Sequence, residues 1–168
     1  MSLVPKRQIT LERTFEATVD EIWELWTTKE GLESWWGPEG FSVKVHKLDL
    51  RPGGELLYAM SATAPEKMAF MKRAGMPLTT EAKITYSEIL PKQRIAYVNL
   101  ADFIPGVPAY DVATSVDLFA SPQGVRMLMT FDAMHDAIWT DRMLAGWTEE
   151  VGKLKKVLEV THARSNPT

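Results

Sequence analysis

Thr14-Phe15-Glu16-Ala17-Thr18-Val19-Asp20-Glu21-Ile22-Trp23-Glu24-Leu25-Trp26, followed shortly by Trp35-Trp36-Gly37-Pro38-Glu39-Gly40-Phe41, decides the fold. Thr18-Val19-Asp20-Glu21 has the form of a capping box: the Thr18 hydroxyl accepts from the third helical amide and Glu21 reaches back to the Thr18 amide. Ile22, Leu25 and Trp26 fall at i, i+3 and i+4 and make one apolar face. A second short helix carries Leu32, Trp35 and Trp36, and Gly37-Pro38 stops it, because proline cannot continue the helical hydrogen bonds. Adjacent residues on one helix point in different directions, so one of Trp35 and Trp36 is expected inside and the other near the surface or a pocket mouth.

Outward from this stretch, the period of the apolar residues changes from helical to alternating. Upstream, Ile9 to Phe15 alternates as a half-buried strand. Downstream, Phe41, Val43 and Val45 alternate with Ser42, Lys44 and His46. Arg51-Pro52-Gly53-Gly54 is a turn, with Pro setting φ at the second position and Gly53 free to take a positive φ at the third. Leu56, Tyr58 and Met60, then Ala82, Ile84 and Tyr86, then Ile95, Tyr97 and Asn99 each share one face of a strand, with a turn at Pro91-Lys92-Gln93-Arg94. Two more strands follow, carrying Val112, Thr114, Val116 and Leu118, and Val125, Met127, Met129 and Phe131, across a turn at 121–124. A long helix over about 140–160 closes the chain, with Leu144, Trp147, Val151, Leu154 and Leu158 at helical spacing. Glu149 and Lys153 are placed on its solvent side as an i, i+4 pair. The order predicts an α+β fold: a curved antiparallel sheet around a long C-terminal helix, with two short helices after the first strand.

The chain reads as one domain over 1–168, with a core of about 8–160 and a polar, frayed tail at 161–168. One segment departs from the meander. Residues 64–75 form a helical insertion rich in methionine, either a surface helix between two strands or a lid (Met68, Phe70, Met71) over an opening.

A hydrophobic content of 45% with 24% charged residues is an ordinary globular composition. The net charge of -3 argues against a nucleic-acid binder. The absence of cysteine removes disulfides, thiolate catalysis and thiolate metal ligands. No apolar run reaches the roughly 18–20 residues of a membrane span, and the first residues lack the apolar core of a signal peptide. A cytoplasmic protein without membrane insertion is expected.

Several motifs in order carry a resemblance. Phe15-Glu16-Ala17 through Trp26, Trp35-Trp36-Gly37-Pro38 with Gly40-Phe41, Asp49 to Gly54, Ser87-Glu88-Ile89-Leu90-Pro91 with Arg94 to Tyr97, and Gly146-Trp147 resemble the successive signatures of the activator of Hsp90 ATPase homologue 1-like family. The resemblance spans about residues 8–160. It implies the helix-grip fold of the superfamily that includes START lipid-transfer domains, pathogenesis-related allergens and polyketide cyclases, in which sheet and helix enclose a cavity. The Hsp90-activating co-chaperone has two domains and 168 residues hold one, so an Hsp90 interaction is not expected to carry over.

No catalytic constellation stands out. His46, His135 and His162 are far apart, and Asp132 to Asp136 lacks regular ligand spacing, so no metal is expected. There is no phosphate loop and no nucleophile elbow, and no cofactor is expected. The concave-facing positions predict a ligand cavity lined by Trp36, Tyr58, Met60, Tyr86, Tyr97, Asn99, Thr114, Met129, Met143 and Trp147. The three tyrosines read equally as core residues with satisfied hydroxyls or as polar groups that orient a ligand. Three functions compete: a non-catalytic protein binding a small lipid-like or aromatic molecule, a partner-binding accessory domain using an exposed Trp35 or Trp36 with the methionine-rich insertion, and a cyclase- or hydrolase-like enzyme in the same cavity. A homodimer is compatible with each.

Overall fold

The computed structural model describes residues 7–102, 104 and 106–165. Its elements run β1 (Gln8–Phe15), α1 (Val19–Thr27), α2 (Lys29–Trp35), β2 (Phe41–Leu48), β3 (Glu55–Ala62), α3 (Pro65–Arg73), β4 (Thr79–Leu90), β5 (Arg94–Ala101), β6 (Tyr110–Ser121), β7 (Gly124–Asp132) and α4 (Ala137–Ser165). The strands form one antiparallel sheet in the order β1-β7-β6-β5-β4-β3-β2. The α+β helix-grip expectation is met: the long closing helix lies against the apolar face of the sheet, with Val151, Leu154 and Leu158 in the same buried cluster as Leu11, Ile95, Val116 and Val125 to Phe131.

The strand alternation appears as burial. Val125, Met127, Met129 and Phe131 of β7 are all buried, as are Val112, Thr114, Val116 and Leu118 of β6. Register shifts between Val45 and Lys47 and between Tyr86 and Glu88 interrupt two ladders, and such bulges bend a sheet and raise its twist. Gly53 takes φ +84°, and the Gly54 amide donates to the Arg51 carbonyl at 2.8 Å, closing the predicted turn. β2 lies at the sheet edge, and Glu33 Oε2 of α2 accepts from the Val45 amide at 2.8 Å.

The capping box at α1 is complete. Thr18 Oγ1 accepts from the Glu21 amide at 3.1 Å, and Glu21 Oε1 accepts from the Thr18 amide at 3.0 Å. His162 Nε2, near the far end of α4, sits 2.7 Å from Glu21 Oε2. The closing helix runs to Ser165, past residue 161 where polar composition predicts a frayed tail to begin. Residues 166–168 lie outside the described residues.

Two further expectations are corrected. Trp35 and Trp36 are both buried, at 0% and 5% exposure. The helical argument fails because α2 ends at Trp35: Trp36 is its C-cap, with φ -66° and ψ 142°, so its side chain no longer follows the helical turn. The exposed-tryptophan patch expected for a partner is absent. Lys153 also does not serve as a solvent-side partner for Glu149; its Nζ donates to the Gly37 carbonyl at 2.8 Å.

Candidate functional site

The tryptophans converge on one cluster. Trp26 meets Trp35 edge-on with ring centres 4.7 Å apart, Trp36 lies 5.2 Å from both Trp35 and Trp147, and Trp147 lies 5.7 Å from Phe131. Edge-to-face pairs of this kind set the positive ring edge against the negative face. The cluster bridges α1, α2 and β7 to α4, and Trp147 is its outermost member toward the first half of the closing helix.

Beyond Trp147, α4 stands off the sheet and leaves a cavity of about 280 Å³. Val112, Met134, Trp139, Met143, Gly146 and Trp147 provide its apolar wall; Asn99, Thr114, Arg142 and Glu150 provide the polar groups. The start of α4 is held firmly. Asp136 Oδ1 accepts from the Trp139 amide at 2.8 Å, and Thr140 Oγ1 accepts from the Met134 amide at 2.9 Å while donating to the Asp136 carbonyl. The Arg142 guanidinium lies 4.9 Å from the Trp139 ring centre at the rim. A small second core of Ala101, Ile104 and Val112, with Tyr110, Met134 and Trp139 against it, supports this end of the cavity.

Glu150 is the charged centre of the site. It is 9% exposed. Its Oε1 accepts from the Gly37 amide at 2.6 Å while Lys153 holds the Gly37 carbonyl, so both sides of this one peptide unit are fastened to α4. Gly37 has φ +89°, and a Cβ there would come within 3.1 Å of Val43, so the clamp needs glycine. Burial pushes the Glu150 carboxyl up to about 7, against the Gly37 hydrogen bond and Lys153, which favour its charge. Burial likewise pushes the Tyr58 phenol up to about 12, opposed by the Trp36 indole and reinforced by Glu150. Tyr97 is raised well above the ordinary range, by burial first and then by Glu150.

The structure distributes the anticipated cavity residues unevenly. Asn99, Thr114, Met143 and Trp147 line the cavity. Trp36, Tyr86, Tyr97 and Met129 are buried in the main core, and Tyr58 and Met60 pack against it, with Met60 close to Gly37. Of the insertion, Met71 is buried, Met68 is half-buried and Phe70 is 57% exposed; none lines the cavity. α3 instead leans on the loop before β2, where Ala64 and Lys67 crowd Gly40. Glu150, Trp139 and Arg142 escaped the sequence reading. A signal for Glu150 existed: Met143, Trp147, Glu150 and Leu154 fall at i, i+4, i+7 and i+11, which is one inward stripe.

The Tyr97 hydroxyl is buried without a hydrogen-bond partner. Thr114 stands directly opposite in register and favours the phenolate, but completes no hydrogen bond. An unmet buried hydroxyl costs free energy, so Tyr97→Phe is expected to raise stability by roughly 1 kcal/mol. A urea midpoint below that of the parent chain would show that the hydroxyl is satisfied.

A larger open groove of about 400 Å³ lies between α1, α2 and the last turns of α4. Of its carboxylates, Glu24 and Glu30 are exposed and Glu21 is half-buried beside His162, and no buried polar side chain lines it. The cavity beside Trp147 is the better site, because a buried carboxylate, Glu150, converges on it.

A seven-stranded antiparallel sheet gripping a long C-terminal helix defines a helix-grip domain. The chain belongs to the activator of Hsp90 ATPase homolog 1-like family, whose model matches residues 16–159. Solved structures share the fold. Protein CV1439 from Chromobacterium violaceum is 25% identical, with a TM-score of 0.74 over 90% of this chain and 96% of that one. The AHSA1-like protein from Aeromonas hydrophila is 18% identical, with a TM-score of 0.71 over 93% and 94%. The AHSA1 protein SPO3351 from Silicibacter pomeroyi is 19% identical, with a TM-score of 0.72 over 93% and 100%. No curated protein matches the chain in sequence.

Proposed function

We infer that this chain is a small-molecule binding protein whose ligand occupies the cavity between β5, β6 and the first half of α4. The observation that carries the reading is that cavity's composition. Two tryptophans, two methionines and Val112 surround a few polar groups, one of them a buried carboxylate, which is the usual make-up of a small-molecule site. A volume of about 280 Å³ suits a compact aromatic or short lipid-like molecule and is too small for a long-chain lipid. The resident tryptophans give the binding a direct optical signal.

Gly146 supplies the test. It sits in the interior of α4 and lines the cavity, and a Cβ there would meet nothing within 4 Å. Glycine inside a helix costs about 1 kcal/mol relative to alanine or leucine, and no neighbour requires it. Gly146→Leu is therefore expected to raise stability by about 1 kcal/mol and to fill the cavity. Tryptophan fluorescence titrations with two-ring aromatics and medium-chain alcohols should saturate for the parent chain and stay flat for the variant. Failure of the parent to bind any of them, or unchanged binding by Gly146→Leu, removes the cavity reading.

A further inference from the structure

The cavity draws polar groups from both the sheet and α4. Asn99 and Thr114 project from neighbouring strands, with Asn99 opposite Val112 and Tyr97 opposite Thr114 in the register of β5 and β6. Glu150 faces them from α4. Only one of its carboxylate oxygens is engaged: Oε1 takes the Gly37 amide, and Oε2 has no hydrogen-bond partner among the described residues. A buried carboxylate with one oxygen left unpaired by the protein gains from a group that donates a hydrogen bond to it, which recovers part of its desolvation cost. Beside Glu150 on α4, Trp139, Met143 and Trp147 offer flat and adaptable apolar surface.

Resting on the binding function inferred above, we propose that the ligand is an aromatic molecule bearing a hydroxyl or N–H, whose proton is donated to Glu150 Oε2 while its ring lies against Trp147 and Trp139. Thr114 and Asn99 supply the remaining hydrogen bonds around that head group. An ether or an ester of the same shape presents lone pairs to a carboxylate and is rejected, since a buried acceptor facing an acceptor leaves both unpaired. Glu150 thus sets specificity, whereas the tryptophans and methionines provide affinity.

The matched probes 2-naphthol and 2-methoxynaphthalene isolate the donor, because they share the ring and differ in the proton. Fluorescence titration of the full chain near pH 8 is expected to show 2-naphthol bound roughly tenfold or more tightly. Glu150→Gln keeps a carbonyl oxygen for the Gly37 amide and presents an amide donor to the cavity, so the preference should collapse or reverse, with the ether bound better than by the parent. Thr114→Val, which keeps shape, should weaken 2-naphthol several-fold and leave the ether unchanged. Equal affinity of the parent for the two probes overturns the donor assignment and leaves the cavity reading standing, as does a preference that survives Glu150→Gln. Binding of neither probe removes the cavity reading, and this assignment with it.

Discussion

Trp35→Ala is expected to cost about 4–5 kcal/mol of folding stability, near the upper end for a single core truncation. Three losses coincide there. The side chain is fully buried, so the deletion opens a large void. Its ring meets Trp26 at 4.7 Å and Trp36 at 5.2 Å, and those edge contacts go with it. Its indole N–H donates to the Leu25 carbonyl at 2.8 Å, the tie that joins α2 to the end of α1, and that carbonyl is left without its donor. Domains of this size carry roughly 5–15 kcal/mol in total, so the variant should be marginal at 37 °C. Trp23→Ala, at a half-buried position on the same helix pair, is the control and should cost well under half as much. Urea unfolding followed by circular dichroism reads both. A Trp35→Ala loss similar to that of Trp23→Ala would show that the cluster is not the mechanical centre of the fold.

Glu150→Gln is expected to stabilise the protein above neutrality and to do nothing at acid pH. The Glu150 carboxyl is raised to about 7 in the folded chain from an ordinary value of 4.5. The folded state therefore binds its proton more tightly than the unfolded state between those two values. Stability falls as pH rises through that window, and the penalty is complete above about pH 7 and absent below about 4.5. The shift corresponds to about 3 kcal/mol. Glutamine never ionises and still offers an oxygen to the Gly37 amide, so the variant should exceed the parent by about 2–3 kcal/mol near pH 8 and match it near pH 4.5. Lys153, Glu149, Tyr58 and Tyr97 face or adjoin this carboxyl. They are common to both proteins, so their own titrations largely cancel in the difference. Parallel stability curves from pH 4.5 to 8 would mean that the carboxyl is solvated in the folded state. A protein that retains such a destabilising group at the wall of a cavity pays in stability for something other than folding, which fits the role assigned to Glu150 in ligand recognition.

These predictions rest on features of unequal legibility. The alternation of Val125, Met127, Met129 and Phe131 and the helical recurrence of Val151, Leu154 and Leu158 are local, and each appears in the structure as buried surface. The Thr18–Glu21 box and the Gly53 turn are equally local, since the atoms involved lie within three residues. The expectation that one of Trp35 and Trp36 lies near the surface fails because the helix ends at Trp35, and boundaries are set by caps that periodicity does not contain. Glu150 is not singled out by its residue type, since charged residues recur along this helix. Its inward orientation follows from its spacing to Met143, Trp147 and Leu154, while its partner, the Gly37 amide, lies 113 residues away in sequence.

The sequence by itself determined the elements, their order and the α+β class, because those depend on short-range periodicity, capping and turn chemistry, and its ordered motifs carried the resemblance to the family. Only the tertiary structure decided where the closing helix leaves the sheet, which side chains line the resulting space and which carboxylate is buried in it. The physical reason is that a cavity is a failure of two surfaces to meet. The distance between them is set by the tryptophan cluster wedged under one end of α4 and the Glu150–Gly37–Lys153 clamp beside it, contacts between segments that no local pattern connects.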